Sequence, residues 1–319
     1  MYKINIANHG SIVKFNNSYI RTPFKVEFKK KKDFLNFIYY LRSKSISFET
    51  NYLKSSNKFQ LGCFKDRKDK RDYKISKVLN SKKSILKLPE VLSYSKEMLP
   101  IKEQGVLGSC VGFAVTAVKE WQEKKEYLNE IKSGKKYRRK TKNYDLSEQW
   151  TYYKAKEIDP WPNEEGTSIR EALKQVCKYG IPPEKAWVYN DKIKGKPKPW
   201  AKLIAGWTKG LKYYRINNLN ELLIALNEVG PVIGGIICFS EIFNVTKNGI
   251  VNYPKNPDYT FGGHAIAIVG YDMNKKLIKF KNSWGRNWGY YGFGYLPFKY
   301  IEDFMIDAWA LIDQNIRKL

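Results

Sequence analysis

Histidine and cysteine are scarce in this chain. Its 319 residues contain two histidines and four cysteines, with no CxxC pair and no metal-ligand spacing. The sequence therefore predicts no structural zinc site, no catalytic metal and no cofactor. It neither requires nor excludes a disulfide. The cysteines are Cys63, Cys110, Cys177 and Cys238.

Long apolar runs are also missing. No stretch approaches the roughly 18 apolar residues that a membrane span needs, and residues 1–5 do not begin an apolar core of signal-peptide length. We therefore expect a soluble chain without a signal peptide or transmembrane segment.

Basic residues outnumber acidic ones, and the formal net charge is +27. Such a charge attracts nucleic acid, anionic lipid or acidic polymers. The excess is mostly lysine scattered through loops, without an RNA-binding signature or zinc-finger spacing. Nucleic acid is thus an unlikely partner, and salt-dependent binding would be its test.

The chain divides into three predicted regions. Residues 1–62 are a small ββαβ unit, which at about 60 residues is marginal alone and is expected to pack on the rest or dock on a partner. Residues 63–87 are a charged linker, interpreted as solvated, with a protease-processing site as the alternative. Residues 88–319 are rich in apolar residues, with helices first and strands later, which favours an α+β fold with two lobes.

The periodicity of apolar residues gives the expected elements. Strands are predicted in the first region over 2–7, 11–15, 19–28 and 46–53, with a helix over 33–41. In the third region helices are predicted over 111–121, 146–155, 168–179 and 219–229, and strands over 232–239, 264–271, 277–281 and 291–295.

One thiol, one imidazole and one carboxamide occur in an order that suits nucleophilic catalysis. Cys110 follows a glycine-containing loop and begins a helix, where free backbone amides favour a thiolate. A hairpin turn near residue 274 brings His264 and Asn282 within about one position of facing each other across two strands. Asn282 can then orient the ring of His264 toward the thiol. A packed small cysteine and a core histidine are the alternative interpretation.

Two further residues fit this arrangement. Gln104, six residues before Cys110, can donate its amide to a developing oxyanion. Trp284 can shield the His264–Asn282 hydrogen bond from water.

Three ordered motifs resemble the papain-like cysteine peptidases. They are Gln104-Gly105 through Gly108-Ser109-Cys110, Gly263-His264-Ala265, and Asn282-Ser283-Trp284-Gly285. Cysteine and histidine are also about 150 residues apart, as in that family. The resemblance covers residues 88–313.

The resemblance implies a papain-like two-lobe fold, with Cys110 in a helical left lobe and His264 and Asn282 in a β-barrel-like right lobe. Substrate peptide is expected in the cleft, where Gly166 resembles the glycine that pairs with its backbone. Leu107 and Val111 depart from the family pattern, and the usual disulfides are missing. This fits a reducing compartment, so we expect a cytoplasmic location or a microbial or viral assembly.

Together these observations predict a cysteine-type endopeptidase that acts on peptides or proteins through a thioester. The alternative is a catalytically weak papain-fold adaptor that docks through residues 1–62. Side-chain specificity, physiological substrate, endo- or exopeptidase action, oligomeric state and the fate of residues 1–87 stay open.

Overall fold

A computed structural model describes the backbone of five short strands within residues 2–50 and all of residues 60–79, 88–134, 144–257 and 260–313. Its strands are β1 (Tyr2–Ile6), β2 (Ile12–Phe15), β3 (Ser18–Arg21), β4 (Phe24–Phe28), β5 (Phe48–Thr50), β6 (Cys63–Phe64), β7 (Val91–Ser93), β8 (Thr167–Ser168), β9 (Lys212–Ile216), β10 (Val232–Cys238), β11 (Gly262–Asp272), β12 (Leu277–Lys281), β13 (Phe293–Pro297) and β14 (Met305–Ile312). Its helices are α1 (Cys110–Lys132), α2 (Glu148–Lys156), α3 (Ile169–Tyr179), α4 (Ala201–Ala205), α5 (Leu219–Glu228), α6 (Ser240–Phe243) and α7 (Phe298–Phe304).

The N-terminal strands match the strand predictions for this region. β1 lies between β4 and β5 and is antiparallel to both, while β2 and β3 form a separate hairpin. The predicted helix over 33–41 lies outside the described residues. The limits of an N-terminal unit at 1–62 stay a prediction.

The left lobe is helical, as the resemblance implies. α1, α2 and α3 pack together around buried apolar residues such as Val115, Trp150 and Leu173. α2 begins at Ser147, whose hydroxyl accepts a hydrogen bond from the Trp150 amide and so caps the helix. α3 ends at Gly180, where a φ of 76° favours glycine. No helix in the described ranges combines the length and apolarity required to cross a membrane.

The right lobe is an antiparallel sheet with the strand order β13-β12-β11-β10-β14-β9, and β7 adds to β11. The expectation of a β-barrel-like lobe needs correction: within the described residues β13 and β9 lie at opposite ends, and the sheet does not close. β9 and β14 were not predicted from the sequence, because β9 mixes charged and aromatic residues and β14 follows a short helix directly.

Residues 63–79 contact both lobes. β6 pairs in parallel with β8 of the left lobe, and Asp66 is buried. Ile75 is fully buried in the right-lobe core beside α5 and β9. Most side chains from residue 65 to residue 79 are exposed, as expected of a charged linker, but Asp66 and Ile75 among them contact distant parts of the chain. Residues 80–87 lie outside the described ranges.

Truncating Ile75 tests whether this segment belongs to the folded core. Ile75→Ala should lower the free energy of unfolding by about 3 kcal/mol, because it leaves a cavity among buried aliphatic side chains. Urea unfolding of the full chain measures the change. Val78→Ala, at a half-exposed position in the same segment, should have little effect. Equal stability of both variants would contradict the assigned packing of Ile75.

Candidate active site

Cys110 is the first residue of α1, and its side chain is completely buried. Its sulfur accepts a hydrogen bond from the backbone N–H of Ala265 at 3.4 Å, and Ala265 follows His264 on β11. Extensive packing of α1 against β11 brings the two lobes together at this point. The thiol therefore lies beside the strand that carries the imidazole.

His264 and Asn282 meet through the β11–β12 hairpin. The register pairs Ala267 with Lys281, so Asn282 is the first residue past the paired part of β12. His264 Nε2 lies 2.8 Å from Asn282 Oδ1, which also accepts the N–H of Ser283 at 2.8 Å. Because Asn282 occupies Nε2, the ring keeps Nδ1 for another partner. Within the described residues Nδ1 has no hydrogen-bond partner.

Trp284 covers the histidine ring. The two rings stack with centroids 4.4 Å apart at an interplanar angle of 30°, and both side chains are buried. Stacking keeps water away from the His264–Asn282 hydrogen bond and holds the ring in one orientation. The arrangement agrees with the shielding role predicted for Trp284.

Gln104 is buried and held at both ends of its amide. Its Oε1 accepts the hydroxyl of Ser283 at 2.6 Å, and its Nε2 donates to the carbonyl oxygens of Leu107 at 2.9 Å and Gln60 at 3.1 Å. The backbone N–H of Gln104 donates to Ser283 O at 2.8 Å. The loop before Cys110 is thus tied to the residue after Asn282.

Residues 60–66, the covering segment, lie across this site. Gly62 N–H donates to Gly263 O at 3.2 Å, and its carbonyl accepts Thr167 N–H at 2.9 Å, so the segment bridges the right-lobe strand and the left-lobe strand β8. The Gly62 N–H also acts on the Cys110 thiol and lowers its pKa. Only glycine fits there, because a Cβ on Gly62 would lie 2.0 Å from Gly108 O.

Gly166 lies where the covering segment passes. Its φ of 108° favours glycine, its N–H donates to the Tyr152 hydroxyl at 3.1 Å, and a Cβ there would lie 2.7 Å from Gly62 O. The surface predicted to pair with a peptide backbone is therefore occupied by the chain's own backbone. Gly62 and the covering segment had no signal in the sequence, since nothing local links them to Cys110.

Burial shifts the pKa values of both Cys110 and His264. Burial raises the pKa of the Cys110 thiol to about 11, although the N–H groups of Ala265 and Gly62 lower it. Burial lowers the pKa of His264 to about 4, although the hydrogen bond that its ring donates to Asn282 Oδ1 raises it. At neutral pH the covered site therefore holds a neutral thiol and a neutral imidazole.

Comparison with known proteins gives one family. A family model described as papain family cysteine protease matches residues 88–304. An uncharacterized peptidase C1-like protein of Acanthamoeba polyphaga mimivirus is 32% identical over 244 residues, covering 72% of each chain. Procathepsin L of Felis catus is 28% identical over 205 residues, covering 61% of this chain and 55% of its own length.

Among solved structures, xylellain, a cysteine protease from Xylella fastidiosa, matches with a TM-score of 0.68. The match covers 82% of this chain and 98% of xylellain at 24% sequence identity. At that identity the likeness shows the fold alone, which is the two-lobe α+β arrangement described above.

Adding a side chain at Gly62 should uncover Cys110. In Gly62→Ala the added Cβ collides with the Gly108 carbonyl, so the covering segment must leave its position. We expect alkylation of Cys110 by iodoacetamide at pH 7 to become about tenfold faster or more, because solvent then reaches the thiol and its pKa falls. Mass spectrometry of the Cys110 peptide measures the rate.

Two comparisons make this test specific. In the unsubstituted chain alkylation should accelerate only as the pH approaches about 11. Gly206→Ala adds the same methyl where no atom lies within 4 Å, and it should leave the rate unchanged. Rapid alkylation of the unsubstituted chain at pH 7 would show that the segment does not protect the thiol.

Proposed function

This chain belongs to the papain family of cysteine proteases, and on that premise we propose that it cleaves peptide bonds through Cys110, His264 and Asn282. It is a cysteine peptidase, and peptides or proteins are its substrate class. The observation that carries the residue assignment is the 2.8 Å contact between His264 Nε2 and Asn282 Oδ1. This contact leaves Nδ1 as the nitrogen available to the thiol of Cys110.

The proposed reaction has two stages. His264 Nδ1 takes the thiol proton, and the Cys110 thiolate attacks the carbonyl carbon of the scissile bond. The tetrahedral intermediate collapses to a thioester as His264 gives its proton to the leaving amine. Water, activated by His264, then attacks the thioester, and the acid product leaves as Cys110 regains its proton.

Gln104 is the proposed side-chain donor to the oxyanion. Its Nε2 points away from Ser283, which holds Oε1, and donates to the carbonyl of Gln60 in the covering segment. A substrate carbonyl in the place of the Gln60 carbonyl would receive the same N–H. As its oxygen becomes negative this hydrogen bond strengthens, which is the interaction that lowers the barrier.

The covering segment makes the described form latent. It buries Cys110, uses the Gln104 donor and the Thr167 N–H, and opposes ionisation of the thiol. We infer that the segment must leave before substrate binds. The exposed residues that follow it, Arg67 to Arg71, are accessible to a protease, so cleavage there is one route to release.

Residues 1–62 retain the proposed role of a docking or regulatory unit. The alternative of a weakly catalytic adaptor is less well supported, because such a protein has no need for the oriented imidazole and the buried glutamine amide. A location in the cytoplasm or in a microbial or viral assembly also stays a proposal.

Substitutions in the Gly62→Ala chain test the assignment. Cys110→Ala should abolish both peptide hydrolysis and labelling by an epoxide thiol inhibitor, whereas Cys177→Ala, a cysteine on α3, should retain both. Peptide hydrolysis by the Cys110→Ala chain at the parent rate would exclude Cys110 as the nucleophile.

Gln104→Glu tests the oxyanion donor separately. The substitution keeps an acceptor for Ser283 but removes the N–H donor and adds a negative charge. The value of kcat should fall by about 100-fold with a smaller change in KM, since the donor acts mainly in the transition state. Steady-state kinetics give both constants, and an unchanged kcat would remove Gln104 from the mechanism.

A further inference from the structure

A carboxylate of the covering segment lies in a site built by other parts of the chain. The Asp66 side chain is fully buried. Its oxygens accept the backbone N–H of Arg170 at 3.2 Å and the indole N–H of Trp309 at 2.8 Å, and the Ser168 hydroxyl lowers the pKa of this carboxyl. A guanidinium nitrogen of Arg215 lies 3.8 Å away. We call these four groups the carboxylate site.

The donors of this site are positioned independently of Asp66. Arg170 lies in the first turn of α3, while Trp309 and Arg215 face each other across β14 and β9, with the guanidinium 4.4 Å from the centroid of the indole ring. Arg215 also pairs with Asp307. When the covering segment leaves, buried donors lose their acceptor, which is costly unless another anion takes the position.

The carboxylate site lies within reach of a substrate in the cleft. Gly62 lies against Gly108, two residues before Cys110. Three residues separate Gly62 from Asp66, so the chain between them spans at most roughly 14 Å. Gly62 also occupies the backbone groups of Thr167 and Gly263. A peptide on those same groups carries its side chains past the carboxylate site.

We propose that the carboxylate site is a specificity subsite that selects an acidic side chain of the substrate. This inference rests on the proposed peptidase function. The acidic residue would lie two to four positions from the scissile bond, on the side that runs along Gly166. Asp66 is then an internal ligand that fills the subsite in the latent form.

The charged groups of the site distinguish this proposal from the opposite one, a subsite that selects a basic side chain. Asp307 lies at the same place, and alone it would select a basic side chain. However, its carboxylate already pairs with Arg215 and accepts the N–H of Asp66 at 2.7 Å. Without Asp66, the guanidiniums of Arg170 and Arg215 balance the carboxylates of Asp72 and Asp307. Loss of residue 66 also frees Asp307 Oδ2, which accepts its backbone N–H. A substrate residue in the same place brings its own backbone N–H to that oxygen. Its side chain then faces the Arg170 N–H and the Trp309 indole N–H, which a lysine side chain cannot satisfy.

Cleavage of a peptide series by the Gly62→Ala chain tests the subsite. Internally quenched peptides would carry Asp, Leu or Lys two, three or four residues from the scissile bond. At one of these positions we expect kcat/KM for Asp to exceed that for Leu by about tenfold and that for Lys by more, because the donors pair with a carboxylate alone. Equal values at every position, or a preference for Lys, would overturn the proposal.

Two conservative variants of the site test its donors without a large change in the packing. Trp309→Phe and Ser168→Ala each remove one donor with little change in shape, and each should bring the Asp-to-Leu ratio toward one. Ser133→Ala, at the far end of α1 from Cys110, should leave the ratio unchanged. A ratio that survives loss of both donors would also overturn the assignment.

The outcomes separate the subsite from the peptidase function itself. Cleavage of all peptides without a preference for an acidic residue would reject the subsite proposal and support the peptidase function. Absence of any cleavage, with Cys110 unreactive toward the epoxide inhibitor, would instead reject the proposed function.

Discussion

The contact between the start of α1 and the middle of β11 is the constraint on which the molecule depends. It places the Cys110 sulfur 3.4 Å from the Ala265 N–H, and so fixes where a left-lobe thiol meets a right-lobe imidazole. The ring itself is set by Asn282 and Trp284, which belong to the right lobe. Neither lobe alone therefore contains the proposed catalytic arrangement, and any motion between the lobes changes the distance between Cys110 and His264.

A cluster of charged side chains at Lys102, Glu120 and Glu148 supports this contact. Lys102 Nζ lies 3.1 Å from Glu120 on α1 and 2.7 Å from Glu148 on α2, and Glu120 also accepts the Leu146 N–H. Burial raises the pKa of Glu148 although Lys102 lowers it, so loss of the lysine would raise that pKa further and remove the contact that joins the two carboxyl groups. Because the carbonyl of Lys102 also accepts the N–H of Gly285, the cluster ties the loop that carries Gln104 to both lobes.

The sequence was informative where partners lie close along the chain and uninformative where they do not. A short turn joins β11 and β12, so counting residues outward from the turn predicts that His264 and Asn282 face each other. Helical periodicity of the apolar residues predicts α1, α2, α3 and α5. The order of thiol, imidazole and carboxamide then indicated the chemistry. Asp66 contacts Arg170 and Trp309, which lie more than 100 residues away, and its lysine-rich neighbours made the region look solvated. A pattern of local charge cannot reveal which single carboxylate is buried.

The geometry of the covering segment explains why it blocks the site without being a substrate. The group of Gly62 that acts on the Cys110 thiol is its N–H, which lowers the pKa of the thiol and offers no electrophilic carbon. The carbonyl that Gln104 contacts belongs to Gln60, two residues earlier. The proposed nucleophile and the proposed oxyanion donor therefore lie beside different peptide groups of the segment. Since the segment is part of the same chain, it competes at a high effective concentration with any peptide. The close approach of the segment to Gly108 requires glycine at position 62. The proposed inhibition therefore depends on a backbone that has no side chain at this point and is covalently part of the enzyme.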